Sequence, residues 1–270
     1  KLSQGALDGG FWAIYSPQGP MTKEGYERSY FNAVRRLSQI VRMVSENENN
    51  FDVAHSSIDI ERLRQTKKHI IIMSMENAYP LGEDISRLEE FYQAGVRLLG
   101  LVHTSNNQFA DSSTDKNGPL WNGLSPLGIK LVEEANRLGI ILDASHAHDK
   151  TLDQLIDLSK TPIVLSHSGV KAVHDHARNI DDRLLRKLAG SGGVIHINAY
   201  GSYLKKLSVN KQRLASRRKL IDEMHFAENN NRPISFETFS ETLMSIDEKY
   251  PPDKASFEDY MEHFFHAVEV

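Results

Sequence analysis

The sequence predicts a parallel α/β barrel of the (β/α)8 TIM type, and three observations predict it. Short apolar runs alternate with segments of helical periodicity through residues 1–200, the order that builds a parallel sheet with right-handed crossovers. Several of those runs end on a histidine or a carboxylate, and in such barrels ligand-bearing residues sit at the C-terminal strand ends. The chain also has the size and composition of one such domain, with 270 residues, 40% hydrophobic and 25% charged.

The first strand is expected at Gly9-Gly-Phe-Trp-Ala-Ile-Tyr15, bounded by glycines and Ser16-Pro17. Tyr30, Val34, Leu37, Ile40, Val41 and Val44 recur at helical spacing between Tyr26 and about Glu46, and the Asn-rich run 47–50 ends that helix. A short helix over Ser57–Thr66 leads into Ile70-Ile-Ile-Met-Ser-Met-Glu76. A helix over Asp84–Ala94 stops at Gly95 and precedes the strand Val96–His103. Ser125 caps a helix with Pro126 in its first turn, running to Leu138 and Gly139. Then come Ile140-Ile-Leu-Asp-Ala-Ser-His146, a helix over Lys150–Ser159, Pro162-Ile-Val-Leu-Ser-His167, a helix over Asp181–Leu188, and the strand Gly192–Asn198. Beyond Asn198 the chain turns helical and polar (Val209–Asn229, Ser235–Tyr250, Ser256–Val270), with Pro251-Pro252 as a break. Six strands do not close an eight-stranded barrel. The expectation is one domain over 1–270 that lacks the first and last strands, with a helical extension over about 201–255 and two open sheet edges. The opening Lys1-Leu-Ser-Gln-Gly5 reads as the middle of a helix.

A net charge of −4 gives no reason to expect nucleic acid or an anionic surface as partner. No apolar run reaches the ~20 residues of a membrane span. With Cys 0, a metal centre would have to use imidazole and carboxylate. Glu76, His146 and His167 each end an apolar run, so adjacent parallel strands would deliver them to one sheet edge as zinc-type ligands, with His103 beside them. Most of the 12 histidines are expected to be dull. His225, His263 and His266 lie on amphipathic helices, His55 and His69 are read as surface residues, and His148 as the start of a helix. His174 and His176 form an isolated H-x-H, and His196 is read as a core residue within a strand. Arg178 is either a surface arginine or a bidentate carboxylate clamp, and Tyr200 a rim aromatic or a substrate contact.

Taken together, Phe11-Trp12, Glu76, Val102-His-Thr-Ser-Asn-Asn, Ala110-Asp-Ser112, Gly123-Leu-Ser-Pro-Leu-Gly128, Leu142-Asp-Ala-Ser-His146, Val164-Leu-Ser-His-Ser168, Arg178-Asn179 and Gly192-Gly-Val194 resemble the membrane (renal-type) dipeptidases of the amidohydrolase superfamily. The resemblance covers residues 1 to about 200 and the final helix. It implies a zinc-dependent dipeptidase acting by metal-activated hydroxide attack and tolerant of a C-terminal D-residue. Two zinc ions are implied, with Glu76 bridging them and His146 and His167 completing the second. His103 would stabilise the oxyanion, and Arg178, accompanied by Asn179 and Tyr200, would hold the substrate carboxylate. The family's His-x-Asp pair is expected before Lys1 and its last-strand aspartate after Val270. Met75-Glu-Asn-Ala-Tyr79 replaces the usual Glu-Gly-Gly-His, a departure expected to reshape the substrate pocket, and Tyr203–Arg232 is longer and more charged than expected. The implied partner is a small dipeptide, and a homodimer stays open. Relatives of this kind lean to a bacterial periplasmic or exported location, with the cytoplasm an alternative. Other amidohydrolase chemistry (lactone, phosphoester, deamination) or a non-catalytic binding barrel remain alternatives, because fold does not decide among them.

Overall fold

The computed structural model describes residues 7–230, 232 and 234–270; the opening helix expected at 1–5 lies outside them. The elements in order are β1 (Gly9–Tyr15), α1 (Lys23–Glu46), β2 (Phe51–Val53), α2 (Ser57–Arg64), β3 (His69–Glu76), α3 (Arg87–Gln93), β4 (Val96–Gly100), α4 (Pro126–Leu138), β5 (Ile141–Asp143) and α5 (Asp149–Leu158). They continue as β6 (Val164–Val170), β7 (Asn179–Ile180), α6 (Asp182–Gly190), β8 (Val194–Ile197), α7 (Gly201–Leu204), α8 (Lys211–Asn229), α9 (Phe236–Lys249) and α10 (Phe257–Glu269).

All strand pairings between these elements are parallel. The order β1-β3-β4-β5-β6-β8 curls into part of a TIM-type barrel, with β2 beside β3 and β7 beside β6. These six principal strands are the six expected. β2 and β7 were not expected, since three and two residues are too few to display a period. Each lengthens an edge that a neighbour leaves unpaired: β2 pairs His69–Ile71 of β3, while β4 pairs Met73–Met75.

The core lies between the outer sheet face and the crossover helices. It is built on Ile71, Met73, Leu99, Leu142 and Leu165 from strands and on Leu88, Leu131, Leu152 and Leu184 from helices. Helix starts follow local chemistry. Thr22, Ser56, Ser125, Asp181 and Ser256 each accept a main-chain N–H of the first turn of their helix. Gly139 ends α4 in the left-handed conformation, at φ 77°.

Several expectations need correction. β4 stops at Gly100 and β5 at Asp143, so His103 and His146 lie in the loops beyond their strands, while β6 runs past His167 to Val170. His69 is buried on β3, its Nδ1 3.2 Å from the Leu7 carbonyl. His196 is exposed on β8 rather than in the core. Asn77, Ala78 and Tyr79 are wholly buried, so that departure packs the core rather than the pocket. α8 and α9 pack against each other, with Arg213 Nε and Nη2 donating to the Asp247 carboxylate at 2.8 and 3.1 Å. No described helix is long and apolar enough to cross a membrane.

Candidate metal centre

Glu76 is the last residue of β3, and Asn77 directly after it takes a left-handed turn at φ 78°. The Asn77 carboxamide is fixed by Tyr79 N–H and by Asn107 Nδ2, 3.1 and 2.9 Å from its Oδ1. Side chains alternate along a strand, and Glu76 falls on the face that looks into the barrel, beside Ser74, Asp143 and His167. His146 follows β5 by three residues and His167 lies inside β6. Parallel register brings them together: His146 Nε2 is 3.1 Å from Glu76 Oε1 and 2.9 Å from His167 Nε2. His167 Nε2 is 3.5 Å from the same carboxylate oxygen.

His103 completes the cluster. Its Nε2 is 3.6 Å from Glu76 Oε1, its ring lies 4.2 Å from that of His146, and Tyr15 at the end of β1 packs edge-on against it at 4.9 Å. Two overlapping trios therefore qualify by proximity: Glu76–His103–His146, all within 4.8 Å, and Glu76–His146–His167, at 2.9–3.5 Å. The second is tighter. Ligands about 2.05 Å from a tetrahedral zinc stand about 3.3 Å apart, so the second trio has the spacing of a zinc coordination edge, and its N,N,O donor set suits that ion.

Protonation agrees with ligand duty. Burial pulls the pKa of His146 down to about 4 and lowers those of His103 and His167, leaving neutral imidazoles with lone pairs at neutral pH. The His146 hydrogen bond holds Glu76 below the usual carboxylate value, against the opposing effect of its burial. One contact is frustrated without a cation. Two Nε2 atoms 2.9 Å apart can share only one proton, and the buried His146 Nδ1 has no partner among the described residues. A cation taking the place of that proton would be met by the lone pairs of both nitrogens.

A cleft of about 530 Å³ opens over His146, lined by Thr104, Ser105, Thr114, Asp115, Arg178 and Tyr203 among others. Its loop wall is rigid because the buried Asp111 carboxylate accepts the main-chain N–H groups of Leu120, Trp121 and Gly123, and Asp115 accepts that of Asn106. Arg178 is not a surface residue: it is 2% exposed, donates from Nη2 to the His167 carbonyl at 3.1 Å, and leaves Nε without a partner among the described residues. Asn179, by contrast, is buried and donates its amide to the carbonyls of His174 and Tyr203, which holds the loop and turns it away from the cleft. Tyr200 is 61% exposed and packs at a tilt against Tyr203, with ring centres 4.8 Å apart, and Tyr203 is the one of the two that lines the cleft.

Sequence reading assigned no role to Tyr15, Tyr203, Asp143 or Ser166. The last two carried a signal, as short polar residues at the ends of otherwise apolar strands. His148 caps α5, with Lys150 N–H donating to its Nδ1, and His263 bridges β6 to α7 by accepting from Val170 N–H and donating to the Leu204 carbonyl.

The family model for membrane dipeptidases (peptidase family M19) matches residues 1–270. Dipeptidase tcpJ of Claviceps purpurea is 33% identical over 205 residues, covering 73% of this chain and 47% of that protein. Dipeptidase 3 of Mus musculus is 29% identical over 204 residues, covering 73% and 39%. The chain thus spans about half the length of the curated relatives it matches. The crystal structure of the probable dipeptidase PvdM from Pseudomonas aeruginosa aligns with a TM-score of 0.78 at 31% identity, covering 97% of this chain and 71% of that one. A metallopeptidase from Rhodobacter sphaeroides shares the fold, with a TM-score of 0.69 at 23% identity over 99% and 88%.

Proposed function

The chain belongs to the membrane dipeptidase family, and from that membership we propose that it carries the catalytic cleft of a zinc-dependent dipeptidase. The observation that carries the proposal is the meeting of Glu76, His146 and His167 within 2.9–3.5 Å, under a cleft that also holds the buried Arg178. Glu76, His146 and His167 would hold one zinc ion, and Glu76 would be shared with a second. When bound, the metal supplies Lewis acidity that brings proton loss from water near neutral pH and polarises a carbonyl.

The chain's own residues do the remaining work. The Arg178 guanidinium binds the substrate's terminal carboxylate, and the donors not spent on the His167 carbonyl are free to pair with it. That anchor sets the scissile bond one residue from the clamp, which selects dipeptides over longer chains. His103, neutral because burial lowers its pKa, presents an imidazole N–H toward charge developing on the carbonyl oxygen. Tyr15 holds its ring in place. The clamp reads the carboxylate rather than the configuration of the carbon that bears it, and the family likeness extends the proposal to a C-terminal D-residue. We take residues 1–270 as one barrel unit with a helical extension over about 201–255.

The test is a panel of L-L and L-D dipeptides given to the full-length protein before and after chelation, with bound metal counted by elemental analysis. Turnover that is lost on chelation and restored by zinc supports the proposal. Chelator-insensitive turnover, or no turnover of any dipeptide, overturns it.

A further inference from the structure

Next to the cluster lies a buried carboxylate that the proposed reaction does not use. Asp143 ends β5, and four donors converge on it. Its Oδ1 accepts Ser145 N–H at 3.0 Å, Ser166 N–H at 3.1 Å and the Ser145 hydroxyl at 2.5 Å. Its Oδ2 accepts the Ser166 hydroxyl. Ser166 Oγ in turn lies 2.8 Å from His167 Nδ1.

We propose that Asp143, acting through Ser166, is the positioning residue that locks His167 in its Nδ1–H tautomer and so presents a bare Nε2 to the cation. The inference rests on reading the cluster as a metal centre. The proton count carries it. An ionised carboxylate only accepts, and a serine hydroxyl has one proton to give. Ser166 gives its proton to Asp143, so toward His167 its oxygen can only accept, and the proton between them belongs to Nδ1. His167 Nε2 is then unprotonated and faces Glu76 and His146. One further bond fixes the His167 backbone: its N–H donates to Ser145 Oγ at 3.1 Å, and Ser145, like Ser166, is tied to the same carboxylate.

His146 has no such support, because its buried Nδ1 lacks a partner among the described residues. With His167 Nε2 bare, the single proton of the Nε2···Nε2 contact must come from His146. The two histidines are therefore unequal: His167 is a ready ligand, while His146 must shift its proton to Nδ1 before it can bind. Outer partners of metal-bound imidazoles commonly change metal affinity by about 10–100-fold.

The experiment uses the full-length protein with Asp143→Asn, Ser166→Ala and the double variant. Zinc affinity is measured by competition with a chromogenic chelator, and the His167 tautomer by imidazole nitrogen shifts of the metal-free protein. Each single change is expected to weaken zinc binding by about tenfold or more, with the double variant no weaker than the worse single, since both break one chain. The parent should show Nδ1–H at His167, and both variants a mixture of tautomers. Ser166→Ala spares the Asp143 bonds to Ser145 and to the main chain, so it reads the relay even if Asp143→Asn folds poorly. Additive losses, unchanged affinity in Ser166→Ala, or an Nε2–H tautomer in the parent would overturn the proposal. If the parent binds no cation, the metal-centre reading fails, and the nitrogen shifts alone decide whether Asp143 sets the tautomer.

Discussion

Arg178→Met separates what the buried arginine does for binding from what it does for folding. The guanidinium is 2% exposed, burial lowers its pKa, and its Nε has no partner among the described residues. It donates one hydrogen bond to the His167 carbonyl and lies 5.5 Å from the centre of the Tyr203 ring. The fold therefore carries a desolvated charge that a substrate carboxylate would complete. Each charge-assisted hydrogen bond contributes about 1.5–3 kcal/mol, and a two-pronged contact, less the cost of stripping water from the carboxylate, leaves about 3 kcal/mol. At ~1.36 kcal/mol per decade that is a loss of at least a hundredfold in kcat/KM. Stability should behave differently, because replacing a buried charge by an apolar chain of similar length is often neutral or stabilising by about 1 kcal/mol. The assay compares a dipeptide with its C-terminal amide and adds a thermal scan. The parent should prefer the free acid by about two orders of magnitude, and the variant should treat both substrates alike with an unchanged or slightly higher Tm. Equal losses on acid and amide, or a Tm lowered by more than about 6 °C (roughly 2 kcal/mol at this size), would refute the clamp and make Arg178 a structural residue.

Chelation should lower the Tm as well as remove activity, since a ligand bound only by the folded state stabilises it; an unchanged Tm would show that the fold holds no metal and would contradict the metal centre. His263 is wholly buried, and burial holds its pKa below the ordinary 6.5. Its contribution is thus fully present above pH 6.5 and is lost as pH falls toward its folded value, because the unfolded chain takes up a proton that the fold refuses. In denaturant titrations of the metal-free protein at pH 7.5 and 5, His263→Leu should cost about 2–3 kcal/mol at the higher pH, by stranding Val170 N–H and the Leu204 carbonyl. The same variant should lose part of the pH dependence, and an unaltered pH slope would contradict the assignment. Gly128→Ala should destabilise by about 2–3 kcal/mol, since a Cβ there would lie 2.0 Å from the Phe109 carbonyl oxygen at the start of α4; a neutral thermal midpoint would show that the loop can retreat.

What the sequence legibly encoded was local. The six principal strands and several helix starts could be read directly because apolar periodicity and N-cap chemistry act over a few residues. Ser125-Pro126 and Asp181 are examples, each opening a helix where expected. β2 and β7 could not be read, since two or three residues become strand only when a neighbouring edge offers them hydrogen bonds. Strand ends were also blurred: Leu101-Val102 continue the apolar character of β4 without its pairing.

The candidate site divides in the same way. That Glu76, His146 and His167 would gather could be argued from sequence, because each closes an apolar run in a β/α repeat and parallel strands share one end. Tertiary structure alone decided the burial of Arg178, the exposure of Tyr200 and the placing of Tyr203 in the cleft, because these depend on how the loops after β6 and β8 fold over one another. It alone revealed that Asp143 reaches His167 through Ser166. A hydrogen-bond chain joining two strands has no period and no composition, and it exists only once the sheet has set the register between them.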